Sequence, residues 1–205
     1  MLLKKKTIFF ILLMTSSFIY SNKIDNLNLP NGFEITIFAD NLESPRQITE
    51  TNDGFIVVGS KNGDKIYAIQ DDDDDKFAEK KILLADGLQN PTGVTYYKGD
   101  LYFSEIDTIW VIKNIDDWLK LGSDKLPKKY VYMNNLPSNT WHGFKYLDFG
   151  PDGNLYIPVG VPCNICLEPQ TKDNRFAAIH KYVDGELITV ADGVRNSVGF
   201  DWHPV

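Results

Sequence analysis

Basic residues are in deficit in this 205-residue chain: 21 Lys and Arg stand against 28 Asp and Glu, a formal net charge of −7. Nucleic-acid binding needs a cationic footprint that displaces counterions, so the balance argues against it. Cysteine is scarce, with two residues, and histidine with three. The cysteines form one C-x-x-C, Cys163-Asn164-Ile165-Cys166. No His follows Cys166, which excludes covalent haem attachment in this register. Neither a second C-x-x-C nor a pair of histidines completes a four-ligand zinc site. A thioredoxin-like motif should open a helix, whereas this one follows the β-like run Leu155–Gly160 in a turn-rich loop. The expectation is a local disulfide, or a pair of thiols, that pins the loop. Helical periodicity is nearly absent; a search finds one candidate, Ile115–Leu121.

Long apolar runs are missing as well. Thr7–Met14 is the one stretch resembling a span, and it is too short to cross a bilayer. Lys4, Lys5 and Lys6 precede it, Thr15, Ser16 and Ser17 follow it, and small Ser21 closes it. That layout is a secretory signal peptide over residues 1–21. The expectation is an exported protein, periplasmic or secreted, with no membrane span after cleavage. With 43% hydrophobic and 24% charged residues the rest reads as one folded globular domain, residues 22–205.

What fills that domain is short β runs. Glu34–Ala39, Phe55–Gly59, Lys65–Ile69, Val94–Tyr97, Leu101–Ser104, Ile109–Lys113, Lys129–Met133, Tyr146–Phe149, Leu155–Val159, Ala178–Tyr182 and Leu187–Ala191 are bounded by Gly, Pro, Asn or Asp. Asp53-Gly54, Gly99-Asp100, Asp152-Gly153 and Asp184-Gly185 separate paired runs, as hairpin turns do. The segments opening at Asn41, Gly87, His142 and Gly193 each lead toward a strand. A period of about 50 residues built from four short strands is that of a β-propeller blade. About three blades and the first strand of a fourth are present. A ring usually has more, so the chain reads as the N-terminal part of a longer propeller, with self-association into a ring as the alternative.

Each repeat places one loop before its innermost strand, and in a propeller such loops ring the axis. Arg46-Gln47, Gln89-Asn90, Trp141-His142 and Arg195-Asn196 are thereby expected to converge. One imidazole, two Arg and several amides suit a small polar or anionic ligand. Arg46 holds the equivalent place in the first repeat, but no close motif surrounds it, and it is left out of the candidate set. His180 reads as a packed histidine and His203 as structural. The run Asp71–Asp75 lacks the Gly and other spacers of a calcium loop and reads as a solvated hairpin tip.

Three motifs carry a resemblance. They are His142-Gly143, then Phe149-Gly150-Pro151-Asp152-Gly153-Asn154-Leu155-Tyr156, then Gly193-Val194-Arg195-Asn196-Ser197-Val198-Gly199-Phe200-Asp201-Trp202-His203-Pro204. Together with Leu29–Ile35 and the Pro162–Cys166 loop, they make residues 28–205 resemble the soluble pyrroloquinoline-quinone (PQQ) sugar dehydrogenases, in their glucose/sorbosone branch. That resemblance implies an all-β six-bladed propeller that oxidises an aldose or a related aldehyde with PQQ and calcium. It implies His142 as general base, Arg195 beside the quinone oxygens, and Asn196 and Gln89 as cofactor contacts. The family's calcium ligands and further cationic contacts lie downstream of the Arg-Asn segment, so these residues hold half a site and little activity is expected of them alone. Trp141 stands where glucose-oxidising members carry an acidic residue, which counts against glucose. The alternatives are a metal-dependent lactonase-type propeller and a non-catalytic ligand-binding one.

Overall fold

Two-residue loops set the hairpins. Lys98-Gly99 (φ 50 and 88) and Asp184-Gly185 (φ 49 and 91) both take positive φ at the two central positions, the backbone of a type I′ turn. The computed structural model describes residues 27–165 and 172–203; the expected signal peptide and Cys166 lie outside them.

Twelve strands form three four-stranded antiparallel sheets, each in sequence order. The first contains β1 (Pro45–Glu50), β2 (Ile56–Ser60), β3 (Ile66–Gln70) and β4 (Lys80–Ala85). The second contains β5 (Val94–Tyr97), β6 (Asp100–Ser104), β7 (Ile109–Ile112) and β8 (Lys129–Met133). The third contains β9 (Asp148–Phe149), β10 (Leu155–Val159), β11 (Ala178–Val183) and β12 (Glu186–Asp192). The expected helix is present as α1 (Ile115–Leu121), between β7 and β8. Asp116 and Asp117 occupy its first turn and Lys120 its last, as the helix dipole favours. It stops at Gly122 (φ 60), whose N–H returns to the Leu119 carbonyl.

The sheets bury their faces against one another. Val57, Ile66 and Leu84 of the first share a core with Val94, Leu101 and Phe103 of the second. Ile109 and Met133 of the second pack with Leu155, Ile157 and Val159 of the third. Middle strands are therefore apolar on both sides, and blade-on-blade burial supplies the driving force.

The first strands, β1, β5 and β9, adjoin one another along the inner edge. Gln47 of β1 locks them together. Its Nε2 donates to the Leu147 carbonyl (2.7 Å), and its Oε1 accepts from the N–H groups of Leu147 (3.1 Å) and Val94 (3.3 Å). Thr49 Oγ1 accepts from Tyr96 N–H, and Thr95 Oγ1 donates to Asp148. Close approach continues at Gly59, where a Cβ would lie 2.3 Å from the Thr92 carbonyl oxygen.

Three expectations need correction. Residues 34–39 are not a strand, although they alternate apolar residues; they pair with no ladder, and Ile35 and Ile37 stay exposed. Strands β1 and β4 lie outside the expected runs, since β1 opens with exposed Pro45 and Arg46 and β4 with two exposed lysines. Residues 193–203, where the repeat calls for the next blade's first strand, have no ladder partner among the described residues and are not a strand.

Replacing Gln47 with Leu strands three backbone groups from two neighbouring blades. The expected loss is about 3 kcal/mol of unfolding free energy, read from chemical denaturation.

Candidate functional site at the axial mouth

The loops before β1, β5 and β9 share a kink: Ser44 (φ 45), Asn90 (φ 49) and His142 (φ 52) are all left-handed. At His142 the turn is closed by Gly143 N–H donating to the Thr140 carbonyl (3.0 Å). The half-buried His142 ring then places Nδ1 at 2.7 Å from the Val161 carbonyl oxygen. A carbonyl can only accept, so Nδ1 carries the hydrogen and Nε2 holds the lone pair of the neutral ring. Gly160 makes room for this arrangement. A Cβ there would lie 2.6 Å from His142 O, 2.7 Å from His142 Cβ and 2.9 Å from Asn196 Oδ1.

His142 and Asn196 line one cleft of about 410 Å³ with Arg46, Lys61, Trp141 and Phe144. Trp141 is 60% exposed and its ring centroid is 5.6 Å from that of His142. Lys61 Nζ lies 5.5 Å from the Phe144 ring centroid. A second, smaller chamber of about 100 Å³ shares Arg46 and Phe144 with the cleft and adds Gln47, Thr92, Lys145 and Tyr146. Among the described residues, no Asp or Glu lines either space. Lys145 is only 2% exposed, and its Nζ donates to the Gly143 carbonyl. Burial pushes the Lys145 amine down to about 8, with Asp107 opposing the shift.

Two of the expected pore residues sit elsewhere. Gln89 lines a separate groove with Glu43 and Asn90, and its N–H donates to Glu105 (2.6 Å). Arg195 donates to the Asn164 side chain, tying its segment to the cysteine loop, while its carbonyl accepts from Val161 N–H (2.9 Å). Cys163 is disulfide-bonded. His180 is buried and satisfied, donating from Nε2 to the Arg175 carbonyl (2.8 Å) and accepting at Nδ1 from Thr189 (3.1 Å). In the acidic loop, Asp71 accepts backbone N–H groups of Asp74 (2.7 Å) and Lys76 (2.8 Å), which builds the exposed turn.

Sequence reasoning missed Lys61 and Lys145 and set Arg46 aside. The signal for Arg46 was its repeat position. Lys145 gave one too: a cation inside the apolar run between His142 and Leu147.

A domain family of unknown function, DUF7133, matches residues 58–200. The chain belongs to that family. An uncharacterized protein of Borreliella burgdorferi is 34% identical over 204 residues, covering 95% of this chain and 51% of its own length. The DUF7133 chain therefore spans about half of that relative. Among solved structures, the holo PQQ domain of Coprinopsis cinerea pyranose dehydrogenase has a TM-score of 0.64 at 17% identity, over 76% of this chain and 37% of that one. A Trichoderma reesei carbohydrate-active enzyme of family AA12 gives 0.60 at 19%, over 75% and 39%. The PQQ-bound aldose sugar dehydrogenase of Streptomyces coelicolor gives 0.53 at 17%, over 74% and 48%. These likenesses establish the propeller fold of the DUF7133 chain.

Two measurements probe the site's construction. Gly160→Ala is expected to displace His142 and Asn196 and to cost about 1–3 kcal/mol, seen as altered His142 imidazole NMR resonances and weaker denaturant resistance. The lowered Lys145 pKa gives a pH signature. The unfolded chain binds more protons than the folded one above pH 8, so this group makes stability rise from pH 8 toward its ordinary value. Lys145→Met removes that rise, and the difference between the two stability profiles reads it.

Proposed function

We propose that residues 22–205 are the N-terminal part of an exported quinoprotein dehydrogenase that oxidises a sugar or related aldehyde. One observation carries the reading: an imidazole with a fixed tautomer opens onto a cleft lined by cations and an amide, with no carboxylate among the described residues.

The residues fit PQQ, a planar tricarboxylate. Arg46, Lys61 and Asn196 would hold its carboxylates and carbonyls through charge-assisted and neutral hydrogen bonds. Arg195, next to Asn196, joins them by exchanging its Asn164 partner. The described residues of the cleft do not fit calcium, because they offer no carboxylate, and no step is assigned to that ion. PQQ supplies, when bound, a two-electron acceptor for hydride from the substrate carbon.

The chain's own work is acid–base and positional. His142 Nε2 accepts the proton of the substrate hydroxyl as the adjacent carbon is oxidised. The Val161 carbonyl steadies the imidazolium that results, since it already accepts from Nδ1. Trp141 offers an exposed flat apolar face to a sugar ring. The cations Arg46 and Lys61 favour negative charge building up on a bound electron acceptor.

Titration of the purified chain with PQQ, followed by quinone absorbance, tests the cofactor. Saturable binding is expected, weakened about tenfold or more in Arg46→Ala. Dye reduction with aldoses and aldehydes follows, with His142→Gln abolishing whatever rate is found while sparing PQQ binding. Failure of the wild-type chain to bind PQQ, or an undiminished rate in His142→Gln, defeats the reading. In the first case the non-catalytic propeller takes its place.

A further inference from the structure

Several cations pair with acids: Lys65 with Asp64 (2.8 Å), Lys113 with Asp100 (2.6 Å), Lys120 with Asp53 (3.0 Å) and Arg175 with Asp173 (2.7 Å). Others, Lys80, Lys81 and Lys129 among them, lie over aromatic rings. At the axial mouth Arg46, Lys61 and Lys145 form no ion pair among the described residues, although Asp107 acts on Lys145 through space, in a chain with seven more acids than bases.

Lys145 is the sharpest case. It is 98% buried by its 2% exposure, and the Gly143 carbonyl uses one of its three N–H donors. Burying an ammonium is costly unless a counter-charge and full hydrogen bonding accompany it. Tethering one loop carbonyl needs a donor, but it does not need a charge. Lys145 and Arg46 both line the inner chamber. A planar fork beside an ammonium is the chemistry that recognises a compact oxyanion. The chamber and the His142 cleft share Arg46 and Phe144, so they are contiguous.

We propose that the substrate is an anionic sugar, bearing a carboxylate or a phosphate. Its charged group sits between Lys145 and Arg46 in the inner chamber, and its reacting hydroxyl lies in the outer cleft beside His142. The placement of the hydroxyl rests on the dehydrogenase reading; the anion seat does not. Bound oxyanion adds to the pull of Asp107 and draws the Lys145 amine back toward the protonated form. Binding near pH 8 is therefore expected to take up a proton, a signature that a merely structural lysine lacks.

Isothermal titration of the chain with glucuronate, glucose 6-phosphate and glucose tests this, repeated at pH 8 in buffers of different ionisation enthalpy. At least one anion is expected to bind about tenfold or more tighter than glucose, with proton uptake. The tighter anion shows whether carboxylate or phosphate is the natural group. Lys145→Met and Arg46→Ala should each abolish the preference. Arg46 is exposed, so its variant keeps the test sound if Lys145→Met does not fold. Equal affinity for glucose, or a preference that survives both substitutions, overturns the proposal. Loss of PQQ binding in Lys145→Met with the sugar preference intact also overturns it, by assigning the charge to the cofactor. Anion binding that depends on Lys145, in a chain that ignores PQQ, upholds the seat and sinks the dehydrogenase reading alone.

Discussion

The Gln47 amide reaches from the first sheet to the backbones of the other two, giving one donor and one twofold acceptor to groups on Leu147 and Val94. Blade faces meet through side chains that slide easily, because apolar contact is non-directional. Directional bonds at the inner edge remove that freedom. They fix where β5 and β9 begin relative to β1, and hence where the loops before them stand. Without that register, the left-handed kinks at Ser44, Asn90 and His142 would have no common rim to face.

The chemistry of the mouth follows from the same crowding. Gly160 lets the His142 loop close over β10's end, and the Val161 carbonyl one residue on then dictates which ring nitrogen carries the hydrogen. Backbone geometry thus assigns a proton acceptor without a second titratable group. The charges act on a larger scale. Acids dominate the chain, yet none of the described ones lines the two axial spaces, so cationic potential is concentrated where water is partly excluded.

Much of the fold was legible. Alternation bounded by Gly, Asn and Asp marked ten of the twelve strands to within a residue or two, and α1 showed its own period. The failures share one cause. Residues 34–39 alternate without a ladder, and β4 has a ladder but begins with exposed lysines, because strand formation is settled by the partner as much as by the strand. The site was half legible. The repeat brought His142, Asn196 and Arg46 to one rim, while Gln89 turned to Glu105's neighbourhood and Arg195 to Asn164. Hydrogen bonds to other loops hold those last two, and spacing along a chain carries no information about them.

By itself the sequence determined the class of architecture, since a repeated pattern of short strands and positive-φ turns can bury its apolar faces only blade against blade. It also determined the charge surplus and the three-histidine inventory. Tertiary structure alone decided which histidine keeps an open lone pair, which cations form no ion pair, and that a lysine from an apolar run lines one chamber with an arginine about 100 residues away. The reason is physical. Desolvation and pairing depend on what surrounds a group in space, and those neighbours come from other blades.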